Sequence, residues 1–209
     1  MGPLLAELVT DGHCALLVQE VQEGVVGPRA GLKDLAAAAS RVDLIGRLCE
    51  LAAAARRCGV PVLHCTAADL TDSFGSNSNA RLFTAARRIG TIGLPDAPSV
   101  HPVGGLLAEG DIVIPRFHGL SPLTGSQLDS LLRNEGIRTV VVTGVSLNVA
   151  IPNLVFDAIN RSYQVVVPRD AVVGVPIDYG EMVIEHTLRP LATICTVPEL
   201  VTLWGGAEP

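Results

Sequence analysis

The residues able to do chemistry in this sequence fall at the ends of short apolar runs. Glu20 closes Leu17-Val-Gln-Glu-Val-Gln22, where a carboxylate at the mouth of a buried strand is placed for proton transfer. Arg116 follows Ile112-Val-Ile-Pro115, and a guanidinium there can clamp a carboxylate or a developing oxyanion with two parallel N–H bonds. His118, two residues on, can bind substrate or shuttle a proton. The stretch Gly144-Val-Ser-Leu-Asn-Val-Ala150 ends a strand, turns, and opens a helix with Pro152 in its first turn. Such a turn aims backbone N–H groups at a cleft and suits an anion. Each feature also has a plain structural reading: a charge at the surface, a loop histidine, an ordinary turn between strand and helix. His64 and Cys65 invite a cysteine–histidine pairing, but neighbours on a strand point to opposite faces, so Cys65 reads as core.

The elements that must position these residues alternate in type. Strands are expected over 14–21, 60–65, 111–114, 139–143, 164–167 and 192–196, the last of them finishing the fold. Helical periodicity covers 34–57, 80–88, 126–134, 150–161 and 179–188. This alternation predicts an α/β fold in three layers, a doubly wound sheet of six mainly parallel strands with helices on both faces. Ligands in such sheets sit outside the carboxyl ends of the strands, which adds Asp170 to the residues of interest. The polar stretch 69–79 reads as a loop, and the Gly- and Pro-rich segment 90–105 is long enough to act as a lid. The whole of 1–209 is expected to form one domain.

Composition narrows the partners. A net charge of −6, with Lys and Arg scattered, offers no footprint for nucleic acid or an anionic membrane. The chain is 48% hydrophobic but only 3% aromatic. Its most apolar stretch, 140–156, is broken by Asn148, Pro152 and Asn153, whereas a spanning helix needs about 20 uninterrupted apolar residues. No secretory signal is legible. Five cysteines without paired spacing read as reduced thiols, which places the protein in the cytoplasm. No spacing of His, Cys and Asp suggests a metal, and no cofactor is expected.

Together these segments resemble the isochorismatase-like hydrolase family. Ala15-Leu-Leu-Val-Gln-Glu-Val-Gln22 is similar to that family's Ala-Leu-Leu-Val-Ile-Asp-Met-Gln. Gly144-Val-Ser-Leu-Asn-Val-Ala-Ile151, with Phe156-Asp-Ala-Ile-Asn-Arg-Ser-Tyr163, resembles its Gly-Val-x-Thr-x-x-Cys-Val … Asp-Ala-x-x-x-Gly-Tyr block. Val165-Val-Val-Pro-Arg-Asp-Ala171 resembles the strand that follows. The resemblance implies that the family's Asp, Lys and Cys fall on Glu20, Arg116 and Ala150, so that the position of the nucleophile carries a methyl group. It implies Ser146, Asn148 and His118 as substrate-binding residues, a cis Val145–Ser146 peptide, and a homodimer or homotetramer. One branch of the family, with a small residue in place of Cys, hydrolyses a vinyl ether by carboxylate protonation and water attack. Two functions are therefore expected as alternatives. One is a hydrolase using acid–base chemistry, without a covalent cysteine intermediate, on a small anionic metabolite. The other is a catalytically silent member that binds a small metabolite in the retained pocket.

Overall fold

The computed structural model describes residues 4–90 and 92–205. Seven strands form one parallel sheet: β1 Cys14–Gln19, β2 Val62–Ala67, β3 Ile112–Arg116, β4 Thr139–Val145, β5 Gln164–Pro168, β6 Val172–Val173 and β7 Thr193–Cys195. Their order is β3-β2-β1-β4-β5-β7, with β6 pairing the end of β4 at Gly144 and Val145. The chain winds outward from β1 to β3, then crosses back to build β4 and the rest. The strand order therefore reverses between β1 and β4, and a crevice opens above that switch point. The sheet has seven strands where six were expected, because a two-residue strand leaves no periodic signal of its own.

Both faces of the sheet are covered. Alternation along β1 sends Leu16 and Val18 to one core and Ala15 and Leu17 to the other. The first core packs on α2 Lys33–Arg41, α3 Leu44–Arg57 and α9 Val197–Gly205; α1 Leu5–Val9 adds to it. The second packs on α6 Leu128–Asn134, α7 Ala150–Asn160 and α8 Ile177–Val183, the last continuing as a π-type segment, Ile184–Leu188. No helix among the described residues is long and apolar enough to cross a membrane.

Several boundaries differ from the sequence expectation. The single helix over 34–57 is two, because Asp43 adopts a left-handed conformation (φ 51°) that aspartate tolerates better than most residues. Strand 192–196 does not finish the fold. α9 follows it, with Glu199 reaching back over the helix start: the Thr196 N–H and hydroxyl both donate to Glu199 Oε2, at 2.8 and 2.7 Å. Much of the segment 92–105, expected as a lid, is tied to the sheet. Its 99–104 stretch is stitched to the exit of β1, with Glu23 N donating to His101 O, Gly24 N to Ser99 O and Val103 N to Val21 O. Ile92 lines the crevice, beside α4 Arg81–Ile89 and loop 69–79, which contains a 3₁₀ turn at Thr71–Ser73.

Glycine is required where the central strands part. In register with Gln19, Gly144 has φ 100°, and a Cβ there would lie 2.2 Å from the Gln19 carbonyl oxygen.

A buried charge cluster ties α3 to β2 and β3. Asp111 accepts from Arg56 Nε at 2.9 Å and Nη2 at 2.6 Å, and from His64 Nε2 at 2.9 Å. Burial lowers the His64 pKa below its ordinary 6.5 and outweighs the opposing hydrogen bond to Asp111. Nδ1 has no hydrogen-bond partner among the described residues, so a proton added there would be a buried, unsatisfied donor. Stability from this histidine is complete above pH 6.5 and is lost as pH falls from 6.5 through the lower folded value. Thermal midpoints should therefore fall between about pH 7.5 and 5, each kcal/mol lost moving the midpoint by roughly 2–4 °C. His64→Gln should flatten that part of the pH profile; an unchanged slope would show that His64 is not its source.

Candidate active site

The crevice above the switch point is a cavity of about 660 Å³. Glu20, the first residue past β1, enters it in a left-handed conformation (φ 51°), which costs an L-residue about 1–2 kcal/mol. The Glu20 N–H donates to Cys65 O at 2.9 Å, which fixes the turn against β2. Glu20 Oε1 accepts from Arg116 Nη2 at 2.6 Å and from Gln19 Nε2 at 2.9 Å. Oε2 has no hydrogen-bond partner among the described residues.

Arg116 is the last residue of β3 and is buried. Nη1 donates to the carbonyl oxygens of Gly119 and, at 3.4 Å, His118. Its stem passes Gly125, in the short helix α5 Pro122–Gly125; a Cβ at Gly125 would lie 2.7 Å from Arg116 Cγ. Gly119 is held from the other side, its N–H donating to Asn77 Oδ1 at 2.5 Å. Loop 69–79 is thus tied through Gly119 to the guanidinium.

The turn after β4 supplies the opposite wall. The Val145–Ser146 peptide is cis. Ser146 and Ala150 both line the cavity, Ala150 as the first residue of α7. Neither backbone N–H has a hydrogen-bond partner among the described residues, while Ser146 O accepts from the N–H groups of Val149 and Ile151. Asn148 also lines the cavity, but its side-chain amide is engaged with Val175, accepting from the N–H at 2.8 Å and donating to the carbonyl at 2.5 Å. It braces the wall. His118 lines the cavity with no hydrogen-bond partner for its imidazole among the described residues.

Two residues noted in the sequence lie elsewhere. Asp170 accepts from Arg47 Nη1 at 2.7 Å and from the Val197 N–H at 2.8 Å, so it joins α3 to the start of α9. His64 points into the cluster with Asp111, away from Cys65. No cysteine lines the cavity among the described residues. The Cys65 thiol senses both Glu20 and Arg116, but its complete burial dominates and pushes its pKa to about 12. Sequence reading passed over Asn77 and Gly125, and the strand-end rule picked out Gln19 without giving it a role. Gln19 carries a signal: an amide inside the apolar run of β1, 1% exposed, with no partner for its side-chain oxygen among the described residues. Its side-chain amide donates to Glu20 Oε1.

A parallel sheet wound in this order, with polar groups from β1, β3 and β4 meeting at its switch point, defines a doubly wound α/β protein with a polar crevice where folds of this class bind their ligands. The sequence model of the isochorismatase domain matches residues 14–199, and the chain belongs to the isochorismatase family. It is 42% identical over 62 residues to a ureidoacrylate amidohydrolase RutB of Methylorubrum extorquens. That alignment covers 30% of this chain, which there spans only a quarter (25%) of the relative's length. To the ureidoacrylate amidohydrolase RutB of Pseudomonas syringae pv. syringae it is 28% identical over 190 residues, covering 77% of this chain and 70% of that one. An isochorismatase family protein from Desulfovibrio vulgaris subsp. vulgaris str. Hildenborough superposes with a TM-score of 0.78 at 26% identity, covering 93% of this chain and 100% of the other.

The position of Ala150, at a helix N-terminus in a wall facing Arg116, yields a test by substitution. A thiol introduced by Ala150→Cys should titrate below the ~8.5 of free cysteine, because helix dipole and guanidinium both favour thiolate. Iodoacetamide should modify it faster than Cys14, Cys65 and Cys195, whose pKa values burial pushes to about 12. A rate no faster than that of the native thiols would separate Ala150 from the guanidinium field.

Proposed function

We propose that the chain is a hydrolase that acts on a small anionic metabolite by acid–base chemistry at Glu20, without a covalent cysteine intermediate. The observation that carries this reading is a carboxylate with one oxygen pinned by Arg116 and Gln19, and the other unpartnered, in a cavity that no cysteine lines among the described residues. Ala150 occupies the position where the resemblance puts the family's nucleophile, and a methyl group forms no covalent bond to substrate.

In this proposal the roles divide by geometry. Arg116 fixes the rotamer of Glu20 and balances its charge. The N–H groups of Ser146, in the turn before the 11-residue α7, and of Ala150, its first residue, receive an anionic group of the substrate. Glu20 acts as the acid through Oε2, giving a proton to the terminal carbon of a vinyl ether and being left as the carboxylate whose charge Arg116 balances. Water adds to the resulting oxocarbenium carbon and returns a proton to Glu20. For 2-methoxyacrylate the hemiketal so formed collapses to pyruvate and methanol, consuming one water. In this proposal His118, which lines the cavity, binds the substrate or relays a proton.

Release of pyruvate from 2-methoxyacrylate, followed by coupled oxidation of NADH, tests the proposal. The wild-type chain should release pyruvate, and Glu20→Gln should lower kcat by about a hundredfold or more while the fold persists. Saturable binding with no pyruvate would favour the silent metabolite-binding alternative. Activity unchanged in Glu20→Gln would remove Glu20 from the chemistry.

A further inference from the structure

Of the 15 Lys and Arg side chains in the sequence, Lys33 alone is a lysine. It is the first residue of α2, where it opposes the local electrostatics, because the first turn of a helix favours an anion and disfavours a cation. Its ammonium has no hydrogen-bond or ion-pair partner among the described residues. Nothing in the packing of α2 calls for a charge at this place. What the place offers is the cavity, which Lys33 lines. Besides His118, the charged side chains around that cavity are Glu20, Lys33, Asp34, Asp69, Arg87 and Arg116. Arg116 is committed, through Nη2 to Glu20 and through Nη1 to the carbonyls of His118 and Gly119. Arg87 is anchored to the backbone, donating to the Asn77 carbonyl. Asp69 accepts from Ser76 Oγ at 2.7 Å and so turns to its own loop. Asp34 is next to Lys33 along the helix, where consecutive side chains do not face each other, and the two form no ion pair. An acid entering the cavity therefore meets three carboxylates, and the N–H groups of Ser146 and Ala150 answer it with partial charges only. To prefer an acid over a neutral molecule of the same shape, the cavity needs a full positive charge that can move to it, and an ammonium on a flexible four-carbon stem supplies one.

We propose that Lys33 is a specificity-determining residue of this site, whose ammonium pairs with the anionic group of the ligand. The assignment rests on the reading of the cavity as the site of a small anionic substrate. The backbone N–H groups of the Ser146 turn orient that group, and Lys33 selects for its charge.

Calorimetry with 2-methoxypropanoate and its neutral amide, 2-methoxypropanamide, tests this apart from turnover, because neither has the double bond that hydrolysis needs. The wild-type chain should bind the acid about tenfold more tightly than the amide, the size of one charge-assisted hydrogen bond. Lys33→Gln should remove that preference by weakening the acid alone, and Lys33→Arg should restore most of it. The preference should shrink as salt rises. The melting temperature of Lys33→Gln should hold or rise, since a cation leaves the first turn of α2. A lysine with only a structural role would instead lower it and weaken both probes together. Acetic anhydride gives a second reading, because Lys33 is the only side-chain amine in the chain. Mass spectrometry should show its acetylation slowed by 2-methoxypropanoate and not by the amide. Failure of the acid to bind, equal affinities for the two probes, or a preference that survives Lys33→Gln would overturn the assignment. So would a preference lost in Arg87→Gln alone. Lys33-dependent binding of the acid without pyruvate release from 2-methoxyacrylate would uphold Lys33 and defeat the hydrolytic reading; pyruvate release with an unchanged KM in Lys33→Gln would do the reverse.

Discussion

At the carboxyl end of the sheet a guanidinium with 8% of its side chain exposed meets a carboxylate with 19% exposed, at 2.6 Å. Two charges so far out of water are tolerable only if each keeps good partners, because the desolvation cost rivals their attraction. Here both do. Glu20 Oε1 is shared between Arg116 and Gln19, and the other arm of Arg116 reaches the carbonyls of His118 and Gly119. Removing one partner of such a pair typically costs about 3–5 kcal/mol, because the other charge is left unmatched. Much of the surrounding sequence follows from that constraint. Gln19 is an amide in a strand that otherwise takes apolar residues, Gly125 stands clear of the arginine stem, and Asn77 holds the Gly119 turn whose carbonyl the arginine needs.

The pair also depends on the winding of the chain. β1 and β3 lie on either side of β2, so Glu20 and Arg116 arrive from strands that do not touch, across the end of β2 at Cys65 and Ala67. β4 sits on the other flank of β1, in register from Cys14 opposite Thr139 to Gln19 opposite Gly144, and delivers the Ser146 turn to the same crevice. Gly144 permits that approach because no side chain intrudes on the Gln19 backbone. Strain at Glu20, in its left-handed conformation, sits where three strands converge on the cavity, a location at which over-determined surroundings can hold it.

Much of this was legible in the sequence. Short apolar runs separated by helical periodicity carried the parallel sheet, and the rule about strand ends carried Glu20, Arg116 and the turn before Ala150 into one crevice. What escaped has physical causes. A two-residue strand at Val172–Val173 has no period to detect, and the break at Asp43 carries neither Gly nor Pro. The C-terminal helix did announce itself through Thr196-x-x-Glu199, a capping pattern passed over because the strand before it reads as the end of the fold. Segment 90–105 looked like a lid because length and Gly/Pro content cannot tell a mobile cover from a strap. Its hydrogen bonds to 21–24 depend on partners some 80 residues away. Asn148 was read as facing a ligand, and only the position of Val175 explains what its amide does.

The account holds that chemistry in this cavity belongs to a carboxylate and not to a thiol. Alkylation tests that most directly. The native protein would be treated with iodoacetamide until mass spectrometry shows every reactive cysteine modified, and its pyruvate release from 2-methoxyacrylate compared with that of untreated protein. With no cysteine lining the cavity among the described residues, the rate should be unchanged after full modification of the accessible thiols. Loss of activity in proportion to the labelling of a single native cysteine would contradict the account.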